Sequence, residues 1–226
     1  MKYYEPEHAE GYERIRAERK SAWGQLHGEA TFEDSEIRGV LAEVLPRLHF
    51  DTPHPTVLEY GCGTGPGACL LAERGMRVRG IDQSAVAIEI ARSEAAKRGL
   101  TIDYRVGDVC TDTPPGDKYD LVVDSFCLQC IVTDDDRDRL FAFVKGALKP
   151  SGRYVIATAG YSPARDYGGF RFDRATGIVL DGDLPCRRHV IADALMRELA
   201  AAGFTVEWHR TAPDGDIALI ARLTPT

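Results

Sequence analysis

From Thr56 onward the chain alternates short apolar runs with longer stretches whose apolar residues recur at helical spacing. The short runs at 56–60, 76–81, 102–106, 119–124 and 153–158 read as strands, and two more follow at 204–209 and 216–222. Between them, 66–74, 84–98, 134–148 and 189–202 read as helices. Strands spaced by helices imply right-handed crossovers and a mostly parallel sheet covered on both faces. Upstream, residues 6–48 read as helices. In 33–48, Ile37, Val40, Leu41, Val44, Leu45 and Leu48 form one apolar stripe. Residues 51–55, with prolines at 53 and 55, break that pattern and lead into the sheet. Residues 160–188 also break it: they form a long Gly-, Pro- and Arg-rich stretch, of the kind that makes lids and binding loops.

These boundaries divide one domain of 226 residues into four parts. They are a helical cap (1–55), a ligand-binding half (56–159), a lid or substrate insertion (160–188) and a C-terminal helix with strands (189–226). With 44% apolar and 28% charged residues the composition is globular, which excludes disordered, collagenous and disulfide-scaffold classes. The net charge of −7 disfavours a nucleic-acid or anionic-membrane partner. The insertion is the exception, at net +1 with five arginines. No run reaches the ~20 apolar residues of a membrane helix, and the first residues carry charge where a signal peptide is apolar, so a cytoplasmic location is expected.

Six cysteines (62, 69, 110, 127, 130 and 186) fit reduced, partly buried thiols. Cys127 and Cys130 have CxxC spacing, but no second pair or paired histidines complete a zinc set. The acidic run Asp134-Asp135-Asp136 after Thr133 reads as helix capping. No metal is expected.

The chemistry-bearing stretch is 57–65, VLEYGCGTG: an apolar strand, a glycine-rich turn, then a helix. In an open α/β sheet this marks the ligand crevice at the carboxyl edge. It is no P-loop, since no Gly-Lys-Ser/Thr follows, and Pro66 removes an N–H that a pyrophosphate would use. Acids stand at successive strand ends. Asp82 is placed to accept from ribose hydroxyls, and Asp108 from an adenine amino group with the Val109 N–H beside it. Asp124 follows at the fourth strand end.

With LEYGCGTG, GIDQS, GDV, YDLVVDSF and LKPSGRYVIAT in place, residues 56–222 resemble the class I S-adenosylmethionine-dependent methyltransferases. The resemblance implies a three-layer, doubly wound, Rossmann-like α/β fold. Its seven strands would run 3-2-1-4-5-7-6 with strand 7 antiparallel. It implies S-adenosyl-L-methionine as cofactor and S-adenosyl-L-homocysteine as product. Gly61, Gly63 and Gly65 would flank the methionine part, together with Cys62, and Glu59 would order the loop. Asp82 with Gln83 would hold the ribose, Asp108 and Val109 the adenine, and Asp124 and Ser125 the sulfonium end. One of Tyr3, Tyr4 and Tyr12 would close over the cofactor. AWGQLHG and DSFCLQCIVTDDDR look like a subgroup tied to natural-product and modified-peptide tailoring.

The expected activity is methyl transfer to an O or N nucleophile of a small molecule or short peptide, with a carboxylate among the acceptors. Substrate contacts are expected from residues 1–30 and 160–190: Tyr4, Trp23, Cys127, Tyr161, Arg165, Arg187, Arg188 and His189. The insertion's arginines match a carboxylate bidentately; otherwise they would pair with Asp166, Asp173, Asp181 and Asp183. His8, His27, His189 and Tyr161 are candidate bases. The competing readings are a nicotinamide-dependent oxidoreductase and a non-catalytic adenosyl-binding module. No tyrosine here is followed four residues later by lysine, the catalytic pair expected of such an oxidoreductase.

Overall fold

The computed structural model describes residues 3–26, 28 and 31–225. His27, one of the candidate bases, lies outside them. A seven-stranded sheet is built from β1 (Thr56–Tyr60), β2 (Arg77–Asp82), β3 (Asp103–Val106), β4 (Tyr119–Ser125), β5 (Leu148–Thr158), β9 (Phe204–Thr211) and β10 (Ile217–Leu223). Its order is β3-β2-β1-β4-β5-β10-β9. β10 runs antiparallel between β5 and β9, and the β3-to-β5 half is parallel. In sheet-strand count this is the order 3-2-1-4-5-7-6.

Alternation within the buried strands sets up the two cores. Val57, Leu121, Val123 and Val155 point to one face, against α2 (Glu36–Val44), α3 (Pro66–Glu73) and α4 (Ala85–Lys97). Leu58, Val122, Tyr154 and Ile156 point to the other, against α5 (Asp134–Ala147) and α6 (Ala192–Ala201). The period-two pattern thus becomes three layers. Side-chain caps start two helices, the second where the sequence suggests one. Ser84 Oγ accepts from Ala87 N–H at 3.2 Å, and Thr133 Oγ1 from Asp136 N–H at 3.3 Å.

Three boundaries differ from the pattern. The 33–48 stripe is α2 only over 36–44, because Pro46 turns the end into a 3₁₀ segment, Leu45–Arg47. The last helix starts at Ala192, not 189. His189 N–H donates to Gly177 O at 2.7 Å and Tyr161 N–H to Val190 O at 3.0 Å, which holds those residues extended. The insertion is ordered as a three-stranded antiparallel sheet of β6 (Arg171–Asp173), β7 (Ile178–Asp181) and β8 (Leu184–Arg188). Before the sheet, α1 (Glu5–Ala17) packs on α4 and on a 3₁₀ turn, Trp23–Leu26. No helix among the described residues is long and apolar enough to cross a membrane.

Candidate functional site

β1 ends at Tyr60 and the chain turns through Gly61, Gly63 and Gly65, at φ of 62°, 53° and 92°. These are left-handed conformations that side chains disfavour. At Gly61 the space is closed as well, since an added Cβ would overlap Cys127 Cβ. Cys62 N–H donates to Ile81 O at 3.1 Å, pinning the turn to β2. Asp82, at the end of β2, accepts from Gly63 N–H at 2.9 Å through one oxygen and from Ser84 N–H at 2.9 Å through the other. Burial pushes its carboxyl upward in pKa, and those two N–H bonds oppose this. Asp108, in the loop after β3, takes the Tyr4 hydroxyl at 2.9 Å and Cys110 N–H at 2.9 Å.

After β4 the chain turns at Phe126, a non-glycine residue at φ 55°. Such a conformation costs about 1–3 kcal/mol and persists only when its surroundings impose it. Here Phe126 N–H donates to Ala157 O at 2.8 Å, and Asp124 Oδ1 accepts from Cys127 and Leu128 N–H, both at 3.0 Å. The 3₁₀ turn Leu128–Cys130 follows. Behind it the buried Arg137 guanidinium donates to Leu128 O and Ile131 O, each at 3.0 Å, and to Glu198 Oε2 at 2.8 Å. A 3₁₀ turn, a strained residue and a buried arginine therefore fix one loop.

These loops enclose a cavity of about 590 Å³, with α1 across it. Gly61, Cys62, Gly63, Asp82, Gln83, Asp108, Val109 and Ser125 line it, as do Tyr4, Trp23, Cys127 and Arg187. Glu59, Gly65 and Asp124 do not form its wall. Glu59 is fully buried against Gly67. Burial lifts its carboxyl to about 8, although the Ser125 hydroxyl and Ala68 N–H act in the opposite direction. Asp124 is likewise fully buried and is raised to about 7 by burial, against the Leu128 and Cys127 N–H groups. Gly65 backs onto the Tyr104 hydroxyl.

Four expected acceptor contacts stand elsewhere. Tyr161 stacks on Phe172, with centroids 5.1 Å apart. Arg165 pairs with Asp216, and Arg188 with Asp134 at 2.5 Å. His189 is buried, with Nδ1 3.4 Å from the Tyr167 hydroxyl and Nε2 unpartnered. Arg187 does reach the cavity, but its guanidinium is held bidentately by Glu7 of α1 at 2.5 and 2.7 Å. The arginines at 165, 187 and 188 thus find their carboxylates outside the insertion, not at Asp166, Asp173, Asp181 or Asp183. Those three guanidinium groups are thereby held by the chain's own carboxylates.

Sequence reasoning did not place Glu36, Phe126, Gln129, Cys130 and Ile131 at the cavity. The signal for the last four was their position just beyond a strand end. Glu36 carried none. His8 also lines the cavity: Nδ1 lies 2.7 Å from Tyr4 O and Nε2 3.6 Å from Cys130 Sγ. None of the six cysteines is in a disulfide.

Residues 57–152 match the methyltransferase domain family. The chain is 29% identical over 166 residues to a 2-heptyl-1-hydroxyquinolin-4(1H)-one methyltransferase of Mycobacteroides abscessus, covering 73% of this chain and 65% of that protein. It is 28% identical over 155 residues to a ubiquinone biosynthesis O-methyltransferase of Brucella anthropi, covering 66% of this chain and 61% of that one. The chain therefore matches less than two thirds of the length of these curated relatives. Among solved structures, the DhpI–SAH complex aligns over the whole of both chains at TM-score 0.68 and 20% identity. The Burkholderia thailandensis 1,6-didemethyltoxoflavin-N1-methyltransferase, bound to its substrate and S-adenosylhomocysteine, aligns over 97% of this chain and 91% of that one at TM-score 0.69 and 19% identity. These two likenesses establish the fold.

Proposed function

We propose that this chain belongs to the class I S-adenosylmethionine-dependent methyltransferase family, and that it methylates an O or N nucleophile of a small, flat, uncharged acceptor. One observation carries the reading: Gly61, Gly63, Asp82 and Asp108, from three separate strand ends, converge on a single cavity under α1.

The residues present fit the cofactor. Each Asp82 oxygen holds one backbone N–H and keeps a further lone pair for a ribose hydroxyl. Asp108 and Val109 stand beside them for the adenine. The bare backbone at Gly61 and Gly63 lets a methionine part approach closely. When bound, S-adenosylmethionine supplies an electrophilic methyl group on a sulfonium. The chain's part is to align the acceptor and exclude water. α1 spans the cavity, and the insertion is read as a lid because β8 lies against the 3₁₀ turn at Leu128–Cys130 and Arg187 ties it to α1. Trp23, Ile37, Phe126 and Ile131 supply apolar walls suited to a ring. The relatives' names, a hydroxyquinolinone and a ubiquinone precursor pathway, point the same way.

Calorimetry with S-adenosylmethionine, S-adenosylhomocysteine and NAD tests the cofactor half. Both adenosyl compounds should bind and NAD should not; NAD binding alone would overturn the reading. Turnover of a hydroxyquinolinone, followed as methylated product, tests the acceptor half. It also separates an enzyme from a non-catalytic binding module.

A further inference from the structure

Two cysteines of the cavity wall, Cys127 and Cys130, sit three residues apart in very different surroundings. Cys127 is the more exposed of the two. Burial pushes its thiol well up in pKa, and the Asp124 carboxylate adds to this. Cys130 faces cations. His8 Nε2 lies 3.6 Å from its Sγ, and the Arg187 guanidinium is within electrostatic range of it.

The imidazole is oriented by a third group. His8 Nδ1 is 2.7 Å from the Tyr4 carbonyl, which can only accept, so Nδ1 carries the hydrogen. In the neutral ring Nε2 is then the acceptor, and it points at the thiol. Trp23 packs against the ring, with centroids 5.4 Å apart. A thiol, an imidazole within reach and a group orienting that imidazole form the arrangement that activates nucleophilic cysteines.

We propose that Cys130 is an activated nucleophile, with His8 as its proton acceptor, and that it captures soft carbon electrophiles small enough to enter the cavity. The proposal rests on this geometry alone and not on the methyl-transfer reading. With iodoacetamide as electrophile, the thiol proton moves to His8 Nε2 and a sulfur lone pair forms the S–C bond. The C–I bond breaks with its electron pair leaving as iodide. Glu7, on α1, faces the imidazole and supports its charge, and Asp82 also faces it. Tyr12 and Cys127 face the thiol itself. Burial lowers the His8 pKa, but the Cys130 charge and hydrogen bond, with the Tyr4 carbonyl and Glu7, hold it at about 9.

The test is equimolar iodoacetamide on the full chain, with the labelled cysteines mapped by mass spectrometry. A thiol whose proton passes to a positioned base as the S–C bond forms reacts faster than one without such a base, by at least about tenfold. Cys130 should therefore label about tenfold faster than the more exposed Cys127. His8→Gln, whose amide still donates to the Tyr4 carbonyl, should slow Cys130 about tenfold. Equal or faster labelling of Cys127 would overturn the proposal without any variant. S-adenosylhomocysteine, its binding checked by calorimetry, should protect Cys130. Binding without protection would overturn the cavity-facing position. No binding would sink the methyltransferase reading and leave the labelling result to decide on the thiol.

Discussion

The Tyr4 hydroxyl donates to Asp108 Oδ2 at 2.9 Å, joining residues 104 positions apart. Tyr4 immediately precedes α1, and Asp108 closes the loop after β3, so the bond anchors the N-terminal helix over the adenine end of the cavity. A hydrogen bond to a charged group contributes about 1.5–3 kcal/mol. Tyr4→Phe should weaken S-adenosylhomocysteine binding by roughly tenfold or more, read by calorimetry. An unchanged dissociation constant would mean that α1 does not help retain the ligand.

Asp82 has two duties, and its replacement should reveal both. Asp82→Ala removes the acceptors for Gly63 and Ser84 N–H as well as the ribose contact. Loss of one charged hydrogen bond alone weakens binding by about tenfold, and two by a hundredfold or more. Product affinity should fall by at least the larger factor, with a lowered melting temperature. If affinity is retained while stability falls, Asp82 serves the fold only.

Glu59 and His189 should tilt stability with pH in opposite directions. The folded Glu59 carboxyl, at about 8, lies above its unfolded value of 4.5, so the folded state holds a proton that the unfolded state loses. Its contribution is full below about pH 4.5 and is lost as pH rises through 8. Between pH 5 and 8 the Glu59 carboxyl should add a fall in melting temperature that Glu59→Gln lacks; equal slopes would contradict the buried, protonated carboxyl.

His189 lies at about 3, below its unfolded 6.5, through burial and then the Arg165 and Arg187 cations. The folded state resists a proton that the unfolded state takes up. Stability is therefore fully present above about pH 6.5 and drains as pH falls toward 3. Differential melting of His189→Gln across pH 7 to 4 should show a flatter acid limb than the unmodified chain. Amide exchange should locate the acid-sensitive opening in residues 160–190.

Arg137 is 2% exposed and holds the post-β4 loop through Leu128 O and Ile131 O. Removing one partner of a buried ion pair costs about 3–5 kcal/mol. Glu198 is partly exposed, so the lower end applies. For a domain of this size, about 3 kcal/mol lowers the melting temperature by roughly 6–12 °C. Calorimetric melting of Arg137→Ala reads it; a shift under two degrees would show that the loop holds without the arginine.

How much of the site was legible follows from how local its signals are. Gly61, Gly63, Asp82 and Asp108 stand out because turn chemistry and strand ends are written within a few residues. The 56–60 and 119–124 strands were legible for the same reason, since a short apolar run between turn residues needs no distant partner to be recognised. Glu36 was invisible because an acid in the first turn of a helix reads as dipole compensation wherever the helix goes. The ion-pair partners of Arg165, Arg187 and Arg188 were not legible, because sequence neighbours offered carboxylates whereas the partners lie 49 to 180 residues away.

The sequence alone determined the alternation of strand and helix, the glycine turn and the acids at strand ends, since each depends on the side-chain period and on backbone conformations open only to certain residues. Only the tertiary structure decided which side chains share the cavity. α1 returns across the sheet edge to bring Tyr4, His8 and Tyr12 to loops after β1, β3 and β4. β8 meets the same helix through Arg187 and Glu7. Those contacts depend on helix docking and on the folded insertion, interactions between surfaces far apart in the chain. No local pattern encodes which carboxylate an arginine will reach, or that a histidine near the N-terminus will stand 3.6 Å from the thiol of Cys130.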